Sequence, residues 1–164
     1  YISFPCRKVQ TGELYRNKKS GTGVVDTGRT KAVYGFIGNQ KHCLSGFTVE
    51  AENDFATIAL SSLTDDDIEK SPNMLLTAVG RADNKDSVYN EDHTELIKEG
   101  TAPIMIDVIE AEISIKTEKE KLRVWSVNYE GYFTGIIPST YENGILKFTI
   151  GKEYESMYYL IQEQ

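Results

Sequence analysis

Few residues in this sequence could carry nucleophilic or acid–base catalysis. His42 and His93 are the only imidazoles, so a Ser-His-Asp or Cys-His arrangement would have to use one of them. Cys43 follows His42 directly, but neighbouring residues of a strand point to opposite faces and cannot form a nucleophile–base pair. Gly-x-Ser-x-Gly, the phosphate-binding loop and His-Glu-x-x-His are all absent. We therefore expect both histidines to be surface or edge residues, and the chain not to be an enzyme.

Carboxylates are abundant, with 25 Asp and Glu, and two kinds of chemistry could use them. A pair flanking a glycosidic bond could hydrolyse it, but no acid lies in an apolar segment that would raise its pKa. Residues 65–67 could offer oxygens to Ca²⁺ but lack the alternating order of a calcium-binding loop, and residues 91–95 could hold a metal but match no known ligand spacing. We interpret the first as a turn and the second as a solvated loop. We expect no cofactor to be required; a structural Ca²⁺ is possible, although no motif supports one.

Aromatic residues interleaved with planar polar ones are a stronger indication of function. Four aromatics surround one predicted hairpin: Trp125, Tyr129, Tyr132 and Phe133. Their flat apolar faces can stack on the C–H faces of sugar rings, while amide and carboxylate groups bind the hydroxyls. Trp125 and Tyr129 have the same strand parity, so we expect them to face one way, roughly 13 Å apart. Val127 has this parity too, which leaves Trp125 open as either a surface or a core residue.

Period-2 patterning predicts the elements that must position these side chains. Residues 109–116 alternate between apolar and polar for eight positions, as in a half-buried strand. The other predicted strands cover residues 23–27, 31–38, 47–51, 56–60, 74–79, 121–129, 132–137, 146–150 and 156–162. A helical pattern is limited to a short turn near 63–70. About ten short antiparallel strands without helices predict an all-β sandwich, with a jelly roll as the leading topology.

Four segments carry more specific expectations. Asn143–Gly144 between two strands predicts a tight hairpin. Residues 116–121 have mixed charge and no apolar side chain, which favours an exposed hairpin tip. Residues 74–79 are nearly all apolar, as in a strand covered on both faces. Residues 81–100 lack a strand pattern and are rich in Asp, Asn and Glu, so we expect a long loop of the kind that often carries function.

Length and composition set the remaining limits. With 164 residues, 40% of them hydrophobic, we expect one globular domain over residues 1–164. The net charge of −7 argues against nucleic acid as a partner. The longest near-apolar run, 101–109, is interrupted twice and is too short to span a membrane. Cys6 and Cys43 could pair or remain separate thiols. The start at Tyr1 is typical of a processed chain or of a piece of a longer polypeptide.

Four stretches, in this order, carry a family resemblance. They are Thr-Gly-Glu-Leu-Tyr at 11–15, Val-Asp-Thr-Gly-Arg-Thr at 25–30, Ala-Val-Tyr-Gly-Phe-Ile-Gly at 32–38 and Ser-Pro-Asn-Met-Leu-Leu-Thr-Ala-Val-Gly-Arg-Ala-Asp-Asn at 71–84. With the ending at 143–151, they resemble the non-catalytic β-sandwich appended to bacterial glycoside hydrolases. The chain departs from that pattern at Gly28, where proline is expected, and at Tyr89, where relatives often carry tryptophan.

The resemblance implies a secreted, monomeric carbohydrate-binding module excised from a larger multimodular glycoside hydrolase. Its partners would be plant cell-wall β-glucan or hemicellulose and the covalently attached catalytic domain, with no nucleic acid or membrane. The alternative is a structural β-sandwich that supports a catalytic barrel without binding glycan. The expected stacking residues are Trp125, Tyr129, Tyr132 and Tyr89. The expected hydrogen-bonding residues are Asn84, Asn90, Asn128 and Arg81.

Overall fold

Alternating apolar and polar residues place two antiparallel sheets face to face, with the apolar side chains between them. The computed structural model describes residues 7–8, 12–151 and 153–164, and all the regular structure within them is β-strand. The all-β sandwich predicted from the sequence is therefore confirmed. The jelly-roll connectivity stays a prediction. None of the described residues forms a helix long and apolar enough to cross a bilayer.

Among the described residues, the larger sheet has nine strands and the smaller sheet has five. In spatial order the larger sheet contains β1 (Arg7–Lys8), β2 (Leu14–Asn17), β3 (Thr22–Asp26), β4 (Thr30–Phe36), β7 (Phe55–Ser62), β8 (Asn73–Val79), β18 (Tyr158–Glu163), β14 (Leu122–Val127) and β15 (Phe133–Ile137). The smaller sheet contains β16 (Ser139–Glu142), β17 (Ile145–Ile150), β13 (Ala111–Lys116), β6 (Phe47–Ala51) and β5 (Gln40–Leu44).

The core lies between the inner faces of these sheets. Its largest fully buried side chains are Tyr159, Phe47, Ile37, Ile58, Leu60, Met74, Leu76, Ile109, Ile113, Ile115, Ile137 and Leu146. Burial of each such side chain contributes about 1.5–3 kcal/mol. In β8 one face is fully buried, whereas Leu75, Thr77 and Val79 on the other face are half-buried. The expectation that residues 74–79 are covered on both faces is therefore wrong.

The turn predictions have mixed outcomes. Asn143 and Gly144 join β16 to β17 with φ angles of 52° and 79°, so the predicted tight hairpin is confirmed. Residues 116–121 are not a hairpin tip, because they carry the chain from β13 in the smaller sheet to β14 in the larger one. Within them Thr117 is buried, and its Oγ1 donates to the Glu69 carbonyl at 3.2 Å. Mixed charge indicates contact with water, but it does not reveal which sheet the next strand joins.

Residues 80–108 leave the sandwich after β8 as a β-ribbon that we call the arm. It contains β9 (Ala82–Lys85), β10 (Val88–Tyr89), β11 (Leu96–Lys98) and β12 (Thr101–Ile106), paired as β9 with β12 and β10 with β11. The long loop predicted for 81–100 is therefore wrong. Both faces of this two-stranded ribbon contact water, so its sequence lacks the alternation by which a half-buried strand is recognised.

A partly buried ion pair joins β3 to β4 at one end of the sandwich. Lys31 lies opposite Leu60 on the core side of the sheet, and its side chain is only 8% exposed. Its ammonium donates to Asp26, which also accepts from the Ser45 backbone N–H and hydroxyl at 3.0 and 2.9 Å. Burial raises the pKa of Asp26, but the hydrogen bonds from Lys31 and Ser45 outweigh it and hold that pKa below 3.8.

We expect Asp26→Asn to lower the free energy of unfolding at pH 7 by about 1–3 kcal/mol, because Lys31 then remains buried without a counter-ion while Asp26 itself is partly exposed. The wild-type contribution of Asp26 is complete above pH 3.8 and is lost as the pH falls through the lower folded pKa. Urea unfolding from pH 2 to 7 measures both effects. The double variant Asp26→Asn/Lys31→Met should recover more than half of the loss. If the double variant recovered none of the lost stability, the loss could not be assigned to an unpaired Lys31 ammonium.

Candidate functional site

The β14–β15 hairpin projects two tyrosines from its turn. The Asn128 N–H donates to the Tyr132 carbonyl at 2.9 Å, and Asn128 Oδ1 accepts from the Glu130 and Tyr132 N–H groups at 3.0 and 2.9 Å. This self-bonded turn leaves Tyr129 82% and Tyr132 68% exposed. The predicted hairpin is confirmed. However, β14 ends at Val127, so Tyr129 lies in the turn and does not share a strand face with Trp125.

Trp125 lies on the outer face of the larger sheet, away from the core. Its neighbours in the strand, Val124 and Ser126, point inward and are buried, whereas the indole is half-buried. The Trp125 ring packs against Phe133 with 5.1 Å between centroids and a 42° tilt. Of the two alternatives left open by the sequence, the surface position is therefore correct.

The arm is fixed to the sandwich at its root. The Asp107 N–H donates to the Arg81 carbonyl at 2.9 Å, and the Arg81 N–H donates to Asp107 Oδ2 at 3.2 Å. The Arg81 guanidinium lies over the Phe55 ring, 5.8 Å from its centroid. Gly80 is needed at this crossing, since a Cβ there would lie 2.7 Å from the Cβ of Asp107. The root therefore sets where β12 lies relative to the larger sheet.

A groove of about 270 Å³ separates β12 from the β14–β15 turn and the segment before β18. It is lined by Ile104, Met105, Ile106, Asp107, Val108, Val127, Asn128, Tyr129, Glu155, Ser156, Met157 and Tyr158. Ser156 Oγ lies within hydrogen-bonding distance of the Val127 and Tyr158 carbonyls, at 2.6 and 2.9 Å, and so ties the two neighbouring strands together. The groove thus combines apolar walls, two phenols, an amide and two carboxylates.

The other predicted site residues lie further along the arm. Tyr89 Oη donates to Asp83 at 2.8 Å, and the Tyr89 ring stacks on His93 with 5.4 Å between centroids. The hydrogen bond to Asp83 raises the pKa of Tyr89. Asn90 Oδ1 accepts from the N–H groups of Thr94 and Glu95, and Asn84 is exposed on β9. These contacts stay within the arm.

The structure therefore brings together only part of the predicted set. Asn128 and Tyr129 meet the arm across the groove, with Tyr132 in the same turn and Trp125 nearby on the outer face. Arg81 supports the arm root, and the other three predicted residues lie beyond it. The apolar wall from β12 was not predicted from the sequence, and neither were Glu155, Met157 and Tyr158. The only available signal was the near-apolar run at 101–109, a pattern equally typical of a core strand.

The two histidines and Cys43 lie outside this groove. His42 is on the edge strand β5, as expected, but it is buried, with Nε2 3.1 Å from the Ile37 carbonyl oxygen. Cys43 is exposed, which confirms that it and His42 point to opposite faces. Cys6 lies outside the described residues, so its pairing stays open. Within the described ranges, His, Cys, Asp and Glu form no group of three suited to a metal ion.

No family model matches this chain, and no curated protein or solved structure is similar enough to it to indicate a relationship. The resemblance to glycoside hydrolase β-sandwiches therefore stays a prediction. The groove, the exposed tyrosines and the outer sheet face are the observations from which a function can be inferred.

Proposed function

We propose that this chain is a non-catalytic carbohydrate-binding module that holds an attached glycoside hydrolase near plant cell-wall β-glucan or hemicellulose. The observation that carries the proposal is the groove between the arm and the β14–β15 turn, where the exposed Tyr129 stands beside Asn128. At about 270 Å³ the groove is near the lower end of the roughly 300–1,000 Å³ typical of small-molecule sites. That size suits a sugar unit lying in an open cleft.

The lining matches the two kinds of surface that a sugar ring presents. Ile104, Met105 and the Tyr129 phenol offer apolar surface to the C–H faces. Water must leave the Tyr129 ring on binding, and release of water from apolar surface is favourable. Asn128 and the neighbouring carboxylates offer partners for hydroxyl groups. Each buried hydroxyl needs such a partner, since an unsatisfied polar group costs about 1–3 kcal/mol.

A longer glycan would find further contacts on the outer sheet face. Val127 lines the groove and lies opposite Phe133, which packs against Trp125, so the aromatic pair begins directly beside the groove. Tyr132 projects from the same turn. Several weak contacts along one chain bind together more strongly than any one alone, and they raise the effective concentration of the attached enzyme on its substrate.

Affinity electrophoresis through gels containing xyloglucan, β-glucan, glucomannan, xylan or pectin tests this proposal. We expect at least one β-glucan or hemicellulose to retard the wild-type chain. The affinity of Tyr129→Ala for that glycan should be about tenfold lower, which corresponds to the loss of about 1.4 kcal/mol of stacking free energy. Tyr129→Phe should retain binding because its ring is kept. Leu63→Ala is the control, since Leu63 is an exposed apolar residue that follows β7 at the end of β7 and β8 opposite the arm root. Retention unchanged in Tyr129→Ala would refute the site.

A second candidate function, structural support of a catalytic domain, is favoured by a specific observation on the outer face. Leu75, Leu160, Trp125 and Ile136 are register partners in one continuous row across four adjacent strands. Contiguous apolar surface on a monomer often marks a protein-binding site. Failure of every polysaccharide to retard the wild-type chain would favour this second function over the first.

A further inference from the structure

The charged groups that line the groove all have one sign. Asp107 contributes a carboxylate from the arm root and Glu155 contributes one from the segment before β18. Glu130, which follows Tyr129 in the exposed turn, is also acidic, although it does not line the groove. Among the described residues that line the groove there is no Lys, Arg or His. The cation at the arm root, Arg81, directs its guanidinium over Phe55.

This arrangement has a consequence for the class of glycan that can enter. A neutral sugar can donate its hydroxyl hydrogens to the two carboxylates, which act only as acceptors when ionised. A uronic acid brings a further negative charge to the same space and finds no cation to pair with among the described residues that line it. Repulsion between like charges a few ångströms apart is strong at low ionic strength and is screened as salt is added.

We propose that this groove selects neutral glycans and rejects carboxylate-bearing ones, and that Glu155 is a specificity-determining residue; this inference rests on the proposed function. Asp107 also has a structural role, because its Oδ2 accepts a hydrogen bond from the Arg81 N–H and so fixes the arm root. Glu155 is exposed, and Gln has the same shape and removes only the charge, so Glu155→Gln isolates the electrostatic contribution.

The experiment measures binding to β-glucan and xylan, each unmodified, carboxymethylated or hydroxyethylated to the same degree. The hydroxyethyl derivative controls for the bulk of the added group. At about 10 mM ionic strength we expect the carboxymethyl form to bind about tenfold more weakly than the hydroxyethyl form, and the difference to shrink at 500 mM, where the Debye length falls from about 30 Å to a few ångströms.

Variants connect the discrimination to the groove. Glu155→Gln should reduce the ratio between hydroxyethyl and carboxymethyl glycan at low salt. Glu153→Gln is the matched control: it removes the same charge two residues away, at a separate groove beside β13 and β17. Equal binding of the two derivatives, or equal effects of both variants, would overturn this inference while leaving carbohydrate binding intact. Absence of binding to either unmodified backbone would overturn the proposed function and this inference with it.

Discussion

Replacement of Gly35 by alanine is expected to lower the free energy of unfolding by about 3–5 kcal/mol, the sum of backbone strain and steric overlap. Gly35 lies within β4 at a φ of 99°, a conformation that L side chains rarely adopt. A Cβ at this position would lie 2.0 Å from the Gly21 carbonyl oxygen and 3.2 Å from the Thr22 Cα. Both neighbours are backbone atoms, so β3 and β4 would have to separate.

Gly131 provides a matched control for that substitution. It also has a positive φ, 90°, but a Cβ there would meet nothing within 4 Å. Gly131→Ala should therefore cost only the conformational strain, about 1–2 kcal/mol. Urea unfolding of both variants under one set of conditions measures the difference. Equal losses would mean that backbone strain alone decides the outcome and that the approach of β3 to β4 is not tight.

The parts of the fold that could be predicted from sequence are those where one side of a strand contacts water and the other does not. Residues 109–116 alternate because Ile113 and Ile115 enter the core while their neighbours do not, and β13 follows that pattern. The arm could not be found in this way, because all six residues of β12 are exposed. Its strands are paired only within a ribbon, and exposure on both faces removes the periodic signal.

Only the part of the candidate site that lies in one continuous segment could be predicted from the sequence. Asn128 and Tyr129 lie in one hairpin turn, where an aromatic beside a turn-forming Asn is visible without a structure. The groove also needs Met105 and Glu155, which lie more than twenty residues away on either side. Only pairing of β8 with β18 and of β18 with β14 brings the arm root, the turn and this third segment together. Such long-range pairings leave no trace in local composition.

Tyr159 is the second residue at which we expect a large effect. It is fully buried in β18, and its hydroxyl donates to the Ser156 carbonyl at 2.8 Å. Tyr159→Ala should lower the free energy of unfolding by about 3–5 kcal/mol, because it leaves a cavity between the sheets. Tyr159→Phe keeps the ring and loses only the hydrogen bond, at a cost of about 1 kcal/mol. Similar losses in the two variants would contradict the cavity argument.

Tyr159 should also limit the stability of the protein in alkali. Burial raises its pKa from 10.0 to about 12. Because the folded state holds this proton more tightly than the unfolded state, the contribution is complete below pH 10 and is lost as the pH rises towards 12. Two pH units correspond to about 2–3 kcal/mol. Between pH 8 and 12 the free energy of unfolding of wild type, measured in urea, should therefore fall to that of Tyr159→Phe, which lacks the titrating group, and then below it. Parallel stability curves for the two proteins would contradict this prediction. They would mean that the Tyr159 phenol has the same pKa in the folded and unfolded states and that another group causes the alkaline loss.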